Sequence, residues 1–258
     1  MPMTQNKTDG SIFKSIIHKF GVFLNLIQDS KYTNELKFWK NELETYEKWY
    51  DNEISSHYDE PAPKENQKVI LHTHSHSAIV TWAKIHQYPK YLEDLSLDKN
   101  AFEGLKLLDI GSGPIPSACV FENCEIFSLD PILGDYLKIG YPLHYYDRVK
   151  FICGNSENIP IEDHFFDAII SVNAIDHVDD FFRTVKEIQR VLKPEGLIRM
   201  HIHYHKKTIE EPLELNDDIV QEGFNWCHGW YKISESRQKR GCTLKNQDEL
   251  FTLWSNFD

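Results

Sequence analysis

Positive charge is scarce in this 258-residue chain: 28 Lys and Arg stand against 40 Asp and Glu, a formal charge of -12 at pH 7. A polyanion would meet net repulsion, so nucleic acid is not an expected partner. The short basic runs at 206–207 and 237–240 read as solvated surface. No Cys-x-x-Cys pair occurs, and five cysteines are an odd number in a chain too large to need disulfide staples, which fits reduced thiols and a cytoplasmic protein. Long apolar runs are also missing. The best stretch, residues 11–29, is interrupted by Lys14, His18, Lys19 and Asn25, which excludes a membrane span and leaves a packing helix. No Pro-, Gly- or Ser-rich stretch is long enough for a linker, while 41% hydrophobic and 13% aromatic residues supply a real core.

What is present divides the chain in three. Residues 1–104 read as a helical, lid-forming region: a helix at 11–29, a second at 34–50 with Leu36, Trp39, Leu43, Tyr46 and Trp49 at helical spacing, and an apolar stretch at 79–92. From Leu105 the rhythm changes to short apolar strands alternating with helices, the pattern of βαβ units and a mostly parallel sheet. Strands are expected at 106–110, 125–129, 149–153, 168–172 and 197–202, with an amphipathic helix at 181–192 stopped by Pro194-Glu195-Gly196. The expected fold is therefore α/β, a Rossmann-like sheet over residues 105–205 with helices on both faces. Residues 206–258 form a C-terminal extension that contributes to an acceptor pocket, with one antiparallel strand near 230–234.

The sharpest chemical signal is LLDIGSGP at 107–114, a strand running into a glycine-bearing turn. Glycines there allow the backbone to approach a ligand closely, and Asp109 at the strand end is expected to face the crevice where open α/β sheets bind ligands. A dinucleotide fingerprint would need glycine where Pro116 stands, and a carboxylate would repel a pyrophosphate, which argues against NAD and FAD. The same turn suits S-adenosylmethionine, whose ammonium and sulfonium oppose a carboxylate. Asp130, at the tip of the next strand, is placed to accept both ribose hydroxyls, and it equally suits a cap before Pro131.

With these residues in view, the chain resembles the class I S-adenosylmethionine-dependent methyltransferases. The resemblance continues in order through GNSENIP (154–160), FDAII (166–170), NAIDH (173–177) and VLKPEG (191–196). It implies that Asp109, Gly111 and Gly113 cradle the methionine part, that Asp130 holds the ribose and that Asn155 and Ser156 lie at the adenine. Ser112, Pro131 and Asn173 complete the implied cofactor-binding set. Where the family more often has an acid this chain has Asn155, so a bond to the adenine amino group is retained through the amide oxygen. NAIDH is similar to the small-molecule branch of the family rather than to protein or nucleic-acid modifiers.

Methyl transfer to oxygen or nitrogen needs an acceptor held in line, with a base where a proton must leave. His177 is the first choice for that base, with Asp176 and His203 as further catalytic candidates; capping of the following helix is the competing role for His177 and Asp176. Two histidine triplets, His72-Thr73-His74-Ser75-His76 and His201-Ile202-His203-Tyr204-His205, would each present imidazoles to one side if extended. Neither has an adjacent cysteine or carboxylate, so no metal is expected. An acceptor pocket lined by His74, His203 or His205, and closed by Trp230 with Trp226, His228 and Tyr231, is favoured over a metal site, with plain polar surface for the histidines and packing for the aromatics as the larger alternatives. The Lys-, Asn- and Ile-rich composition fits a low-GC bacterial coding sequence and points to a sugar or phosphorylated precursor of a surface polysaccharide as acceptor. The alternative is a non-catalytic module that keeps the fold and acts in a complex. Oligomeric state is not encoded in these motifs.

Overall fold

Alternate residues of a strand face opposite ways, and the doublet Leu107-Leu108 shows what this does to the sheet: Leu108 joins one apolar core and Leu107 another. Both faces are buried, as parallel sheets require. In the computed structural model, the described residues are 10–53, 74–209, 211–228, 231–235 and 247–254, with side chains described for 31–53, 74–209 and 211–228. The elements in chain order are α1 (Gly10–Glu53), α2 (His74–Trp82), a π turn (Ala83–Gln87), α3 (Tyr88–Leu95), β1 (Lys106–Ile110), β2 (Glu125–Asp130), α4 (Leu133–Ile139), β3 (Val149–Cys153), β4 (Phe166–Val172), α5 (Phe181–Val191), β5 (Leu192–Tyr204), α6 (Asp217–Gly223), β6 (Tyr231–Glu235) and β7 (Gln247–Trp254).

The strands form one sheet in the order β3-β2-β1-β4-β5-β7-β6. β1 to β5 pair in parallel, and β7 runs antiparallel to both β5 and β6. The expected Rossmann-like sheet is thus present, and the C-terminal residues extend it: two strands lie there, of which β7 is the antiparallel one. Helix α5 covers one face through Phe181, Val185, Ile188 and Val191, each core side chain contributing about 1.5–3 kcal/mol on burial. Asp180 caps it, its Oδ1 accepting the Arg183 N–H at 3.0 Å. Helix α3 covers the other face through Tyr91 and Leu95.

Two expectations are corrected. The separate helices at 11–29 and 34–50 are one helix of 44 residues, because nothing between Asp29 and Asn34 breaks a helical backbone. The first histidine triplet is not extended where it is described. His74 and His76 lie on α2, where a two-residue step turns the side chain by about 200° rather than returning it to the same side. His72 and Trp230 lie outside the described residues. Among the described residues no helix is long and apolar enough to cross a membrane.

A candidate cofactor crevice at the strand tips

At the carboxyl ends of the parallel strands, below α1, lies a cavity of about 710 Å³. Its floor is the turn after β1. Gly111 and Gly113 both adopt left-handed backbone, with φ of 71° and 61°. A Cβ on Gly111 would come within 2.3 Å of the Ala174 Cβ, so this position needs glycine for space as well as for conformation. A Cβ on Gly113 would point at the Trp39 ring, 3.4 Å from its Cζ2, so α1 roofs the cradle that this glycine leaves.

Asp130 stands at the tip of β2. Its Oδ2 accepts the Gly113 N–H at 3.1 Å and its Oδ1 accepts the Ile132 N–H at 3.0 Å, so the carboxylate fixes the glycine turn and the start of α4 while lining the cavity. Burial pushes its carboxyl up to about 7, against the two backbone donors and with the help of the nearby Glu35 charge. Each oxygen retains a lone pair for a hydroxyl of a ligand.

Asp109 is placed differently from the sequence expectation. It is 1% exposed and is not among the residues lining the cavity. Strand alternation puts it on the Leu107 face, towards α3, where its Oδ1 accepts the Tyr91 hydroxyl at 2.6 Å. Burial raises its carboxyl to about 7, opposed by Tyr91 and the Ala118 N–H and assisted by repulsion from Asp130. Tyr91, which donates to it, lines the cavity in its place.

Ser112, Pro131, Asn155, Ser156 and Asn173 all line the cavity. Asn173 has a left-handed backbone, φ 57°, and donates its N–H to the His201 carbonyl at 2.9 Å. Its Oδ1 is buried with no hydrogen-bond partner in the protein, an acceptor that a ligand cation would satisfy. Ser156 lies 3.2 Å from the Thr184 hydroxyl, and Asn155 Oδ1 accepts from Tyr32 of α1 at 3.4 Å.

The roof is what the sequence reading missed. Lys31 of α1 reaches Asp179 at 2.9 Å and donates to the His177 carbonyl. Glu35 Oε1 accepts the Tyr136 hydroxyl at 2.6 Å, and the Trp39 carbonyl accepts the Tyr141 hydroxyl at 2.9 Å. The signal was available: Lys31 and Glu35 share the helix face of Trp39 and Tyr46, and polar residues inside an apolar stripe mark a contact with something other than core.

Of the catalytic candidates, His177 lines the cavity, its Nε2 3.6 Å from Glu211 Oε1. Asp176, His203 and His205 are buried behind that wall. Asp176 Oδ2 lies 2.9 Å from His205 Nε2, and although burial opposes it, that contact holds the Asp176 carboxyl below its ordinary value. The hydrogen bond to Asp176 conversely pushes His205 up to about 9, against burial. His74 stands outside the cavity on α2, 2.9 Å from Asp51 and edge-on to Tyr50, so an acceptor role for it is not supported.

A parallel five-strand core extended by an antiparallel strand, with acids and a glycine turn at the tips, is a Rossmann-like α/β architecture. Residues 108–200 match the family model described as "Methyltransferase domain". The chain is 27% identical over 166 residues to a sterol 24-C-methyltransferase of Gibberella zeae, covering 57% of this chain and 42% of that one. It is 31% identical over 162 residues to a malonyl-[acyl-carrier protein] O-methyltransferase of Methylovorus sp., covering 53% and 55%. The chain thus spans about half the length of these relatives. Its fold is shared with a phosphoethanolamine N-methyltransferase 2 of Haemonchus contortus in complex with phosphomonomethylethanolamine and S-adenosylhomocysteine (TM-score 0.52, 12% identity, 71% of this chain and 58% of that one).

Proposed function

We propose that the chain is an S-adenosylmethionine-dependent methyltransferase acting on oxygen or nitrogen of a small polar acceptor. The observation that carries this is Asp130: a buried carboxylate that holds a glycine turn open with one face and looks into the cavity with the other. The cofactor supplies, when bound, a methyl group already activated on a sulfonium. Asp130 would hold its ribose, Gly111, Ser112 and Gly113 its methionine part together with Asn173 Oδ1, and Pro131, Asn155 and Ser156 its adenine side. The relatives' names support methyl transfer, to carbon of a sterol in one and to oxygen of a malonyl group in the other, and residues 31–53 with the C-terminal extension would close over the acceptor as lid and pocket wall. In this reading residues 1–104 are the lid region, 105–205 the cofactor domain and 206–258 the pocket-completing extension.

The cavity's charge sharpens the acceptor class. Glu35, Asp94, Asp130, Glu157, Asp179 and Glu211 line it against Lys31 and Lys90, and both lysines are already engaged by Asp179 and Asp94. A phosphorylated acceptor would meet repulsion, so a neutral hydroxyl or an amine replaces the phosphorylated precursor of the sequence reading; an uncharged sugar remains within this class. His177 is the group best placed to orient the acceptor or take its proton. Calorimetry with S-adenosylhomocysteine followed by mass-detected methyl transfer to polyols and amines is the test. One-to-one binding with transfer is expected; absence of binding would overturn the reading in favour of a non-catalytic module.

A further inference from the structure

Behind the His177 wall, four ligand-type side chains converge, one from the turn after β4 and three from the end of β5 and the loop that follows it. Ligand atoms of Asp176, His203, His205 and Glu211 all lie within 4.8 Å of one another. His205 is the hub. Its Nδ1 lies 2.7 Å from the Lys206 carbonyl, to which an N–H there donates, and its Nε2 lies 2.9 Å from Asp176 Oδ2. Its ring centroid is 5.1 Å from that of His203, and Glu211 Oε2 is 3.5 Å from Nδ1. Asp176 and His205 are almost wholly inaccessible to water, so the carboxylate is held in a medium where charge must be neutralised locally.

An imidazole whose Nδ1–H is anchored on a backbone carbonyl presents the Nε2 lone pair, the arrangement of metal-ligating histidines. Here Nε2 faces a carboxylate oxygen at 2.9 Å, a pair that a proton on Nε2 bridges in the metal-free protein and that a metal ion would bridge on displacing that proton. With metal–ligand bonds of about 2.0–2.2 Å, ligand atoms about 2.9 Å apart subtend roughly a right angle at one ion, and atoms about 4.2 Å apart lie across it. The 4.8 Å upper limit of this cluster closes to that range by rotation of the half-buried Glu211 carboxylate or the His203 ring. Lys31, which reaches the His177 side of this wall, is already bound to Asp179 and the His177 carbonyl.

We propose that Asp176, His203, His205 and Glu211 form a site for one divalent first-row transition metal ion of the zinc or manganese type. Two imidazoles select such an ion over magnesium or calcium, and two carboxylates neutralise it. Four protein ligands make a closed, structural site rather than an open catalytic one. The ion would fasten the 205–211 segment to the β4 and β5 tips and so hold Glu211 and His177 in the cavity wall. The inference stands apart from methyl transfer, since it concerns what builds the wall and not what enters the cavity.

The test is metal binding by the full chain after chelator treatment, read by calorimetry and elemental analysis with zinc chloride, manganese chloride and magnesium chloride. One zinc or manganese ion per chain with a raised melting temperature is expected, and magnesium should give neither. Glu211→Gln, on a half-buried segment whose loss leaves the core intact, should weaken affinity at least tenfold and abolish the thermal shift; His205→Ala should do the same where it folds. His74→Ala/His76→Ala, on α2, should change nothing. No stoichiometric binding, binding insensitive to Glu211→Gln, or binding lost with His74 and His76 would each overturn the proposal.

Discussion

The two ends of the crevice are built by different means. At the cofactor end, backbone does the work: two left-handed glycines, the Asn173 turn and two N–H groups on Asp130 fix every surface within a few residues of a strand tip. At the acceptor end, side chains do it. Lys31 descends from α1, and His177 and Glu211 meet from segments 34 positions apart in number. A shape fixed by backbone is carried by a short contiguous motif, whereas a shape fixed by converging side chains is carried by the whole chain. Substitutions at the first end should therefore cost fold and cofactor together, and those at the second should change what is done with the cofactor.

The largest effect is expected at Gly111. Alanine there places a methyl where Ala174 already sits and forces a left-handed backbone on a residue that resists it. We expect a loss of about 2–6 kcal/mol in urea denaturation, the sum of strain and overpacking terms of about 1–3 kcal/mol each. Gly134→Ala is the control: nothing lies within 4 Å of its added Cβ and it sits in α4, so it should be neutral or stabilising. Equal costs at both positions would show that Gly111 is required for neither space nor conformation.

Next in size is Asp130→Asn, expected to weaken S-adenosylhomocysteine binding about 10–100-fold, the worth of charge-assisted bonds of about 1.5–3 kcal/mol. His177→Ala, at the other end, should leave that affinity within about threefold and slow turnover instead. Should His177→Ala lose the cofactor as badly as Asp130→Asn does, the crevice has no separate acceptor end.

This division also explains what could be read from residues alone. The alternation of strands, the LLDIGSGP turn, Asp130 and the α5 pattern are local, and each was found where it was expected. Asp109 was misplaced because the motif gives its position at a strand tip while the strand's pleat decides its face, and that face carries Tyr91. His74 was misread because triplet spacing assumed an extended chain, and the backbone there is helical. The gathering of Asp176, His203, His205 and Glu211 has no local signature for its carboxylates, which arrive from a turn after β4 and a loop after β5.

A third contrast can be read from pH. Burial raises both Asp109 and Asp130 from 3.8 to about 7. The folded, cofactor-free protein then binds more protons than the unfolded chain between about pH 4 and pH 7, so its stability should fall as pH rises across that window and level off above it. A cationic ligand favours the ionised forms, so S-adenosylmethionine affinity should rise over the upper part of the same window, by at most about tenfold per unit for each group, with proton release on binding. Calorimetry in two buffers of different ionisation heat measures that release directly. Binding with no proton release near pH 6.5 would mean that neither carboxyl changes state on meeting the ligand.

The smallest effect sharpens the role of α1. Tyr32 donates to Asn155 Oδ1 across 3.4 Å at an exposed position, long enough that water competes on nearly equal terms. The roof is instead held by Lys31 on Asp179 and the His177 carbonyl, by Glu35 on Tyr136 and by the Trp39 ring over Gly113. Tyr32→Phe should accordingly change cofactor affinity by less than about threefold, because the net worth of such a bond does not exceed about 0.5 kcal/mol. A tenfold loss would show that α1 reads the adenine end directly, making the lid part of the cofactor site and moving the boundary between the two ends of the crevice.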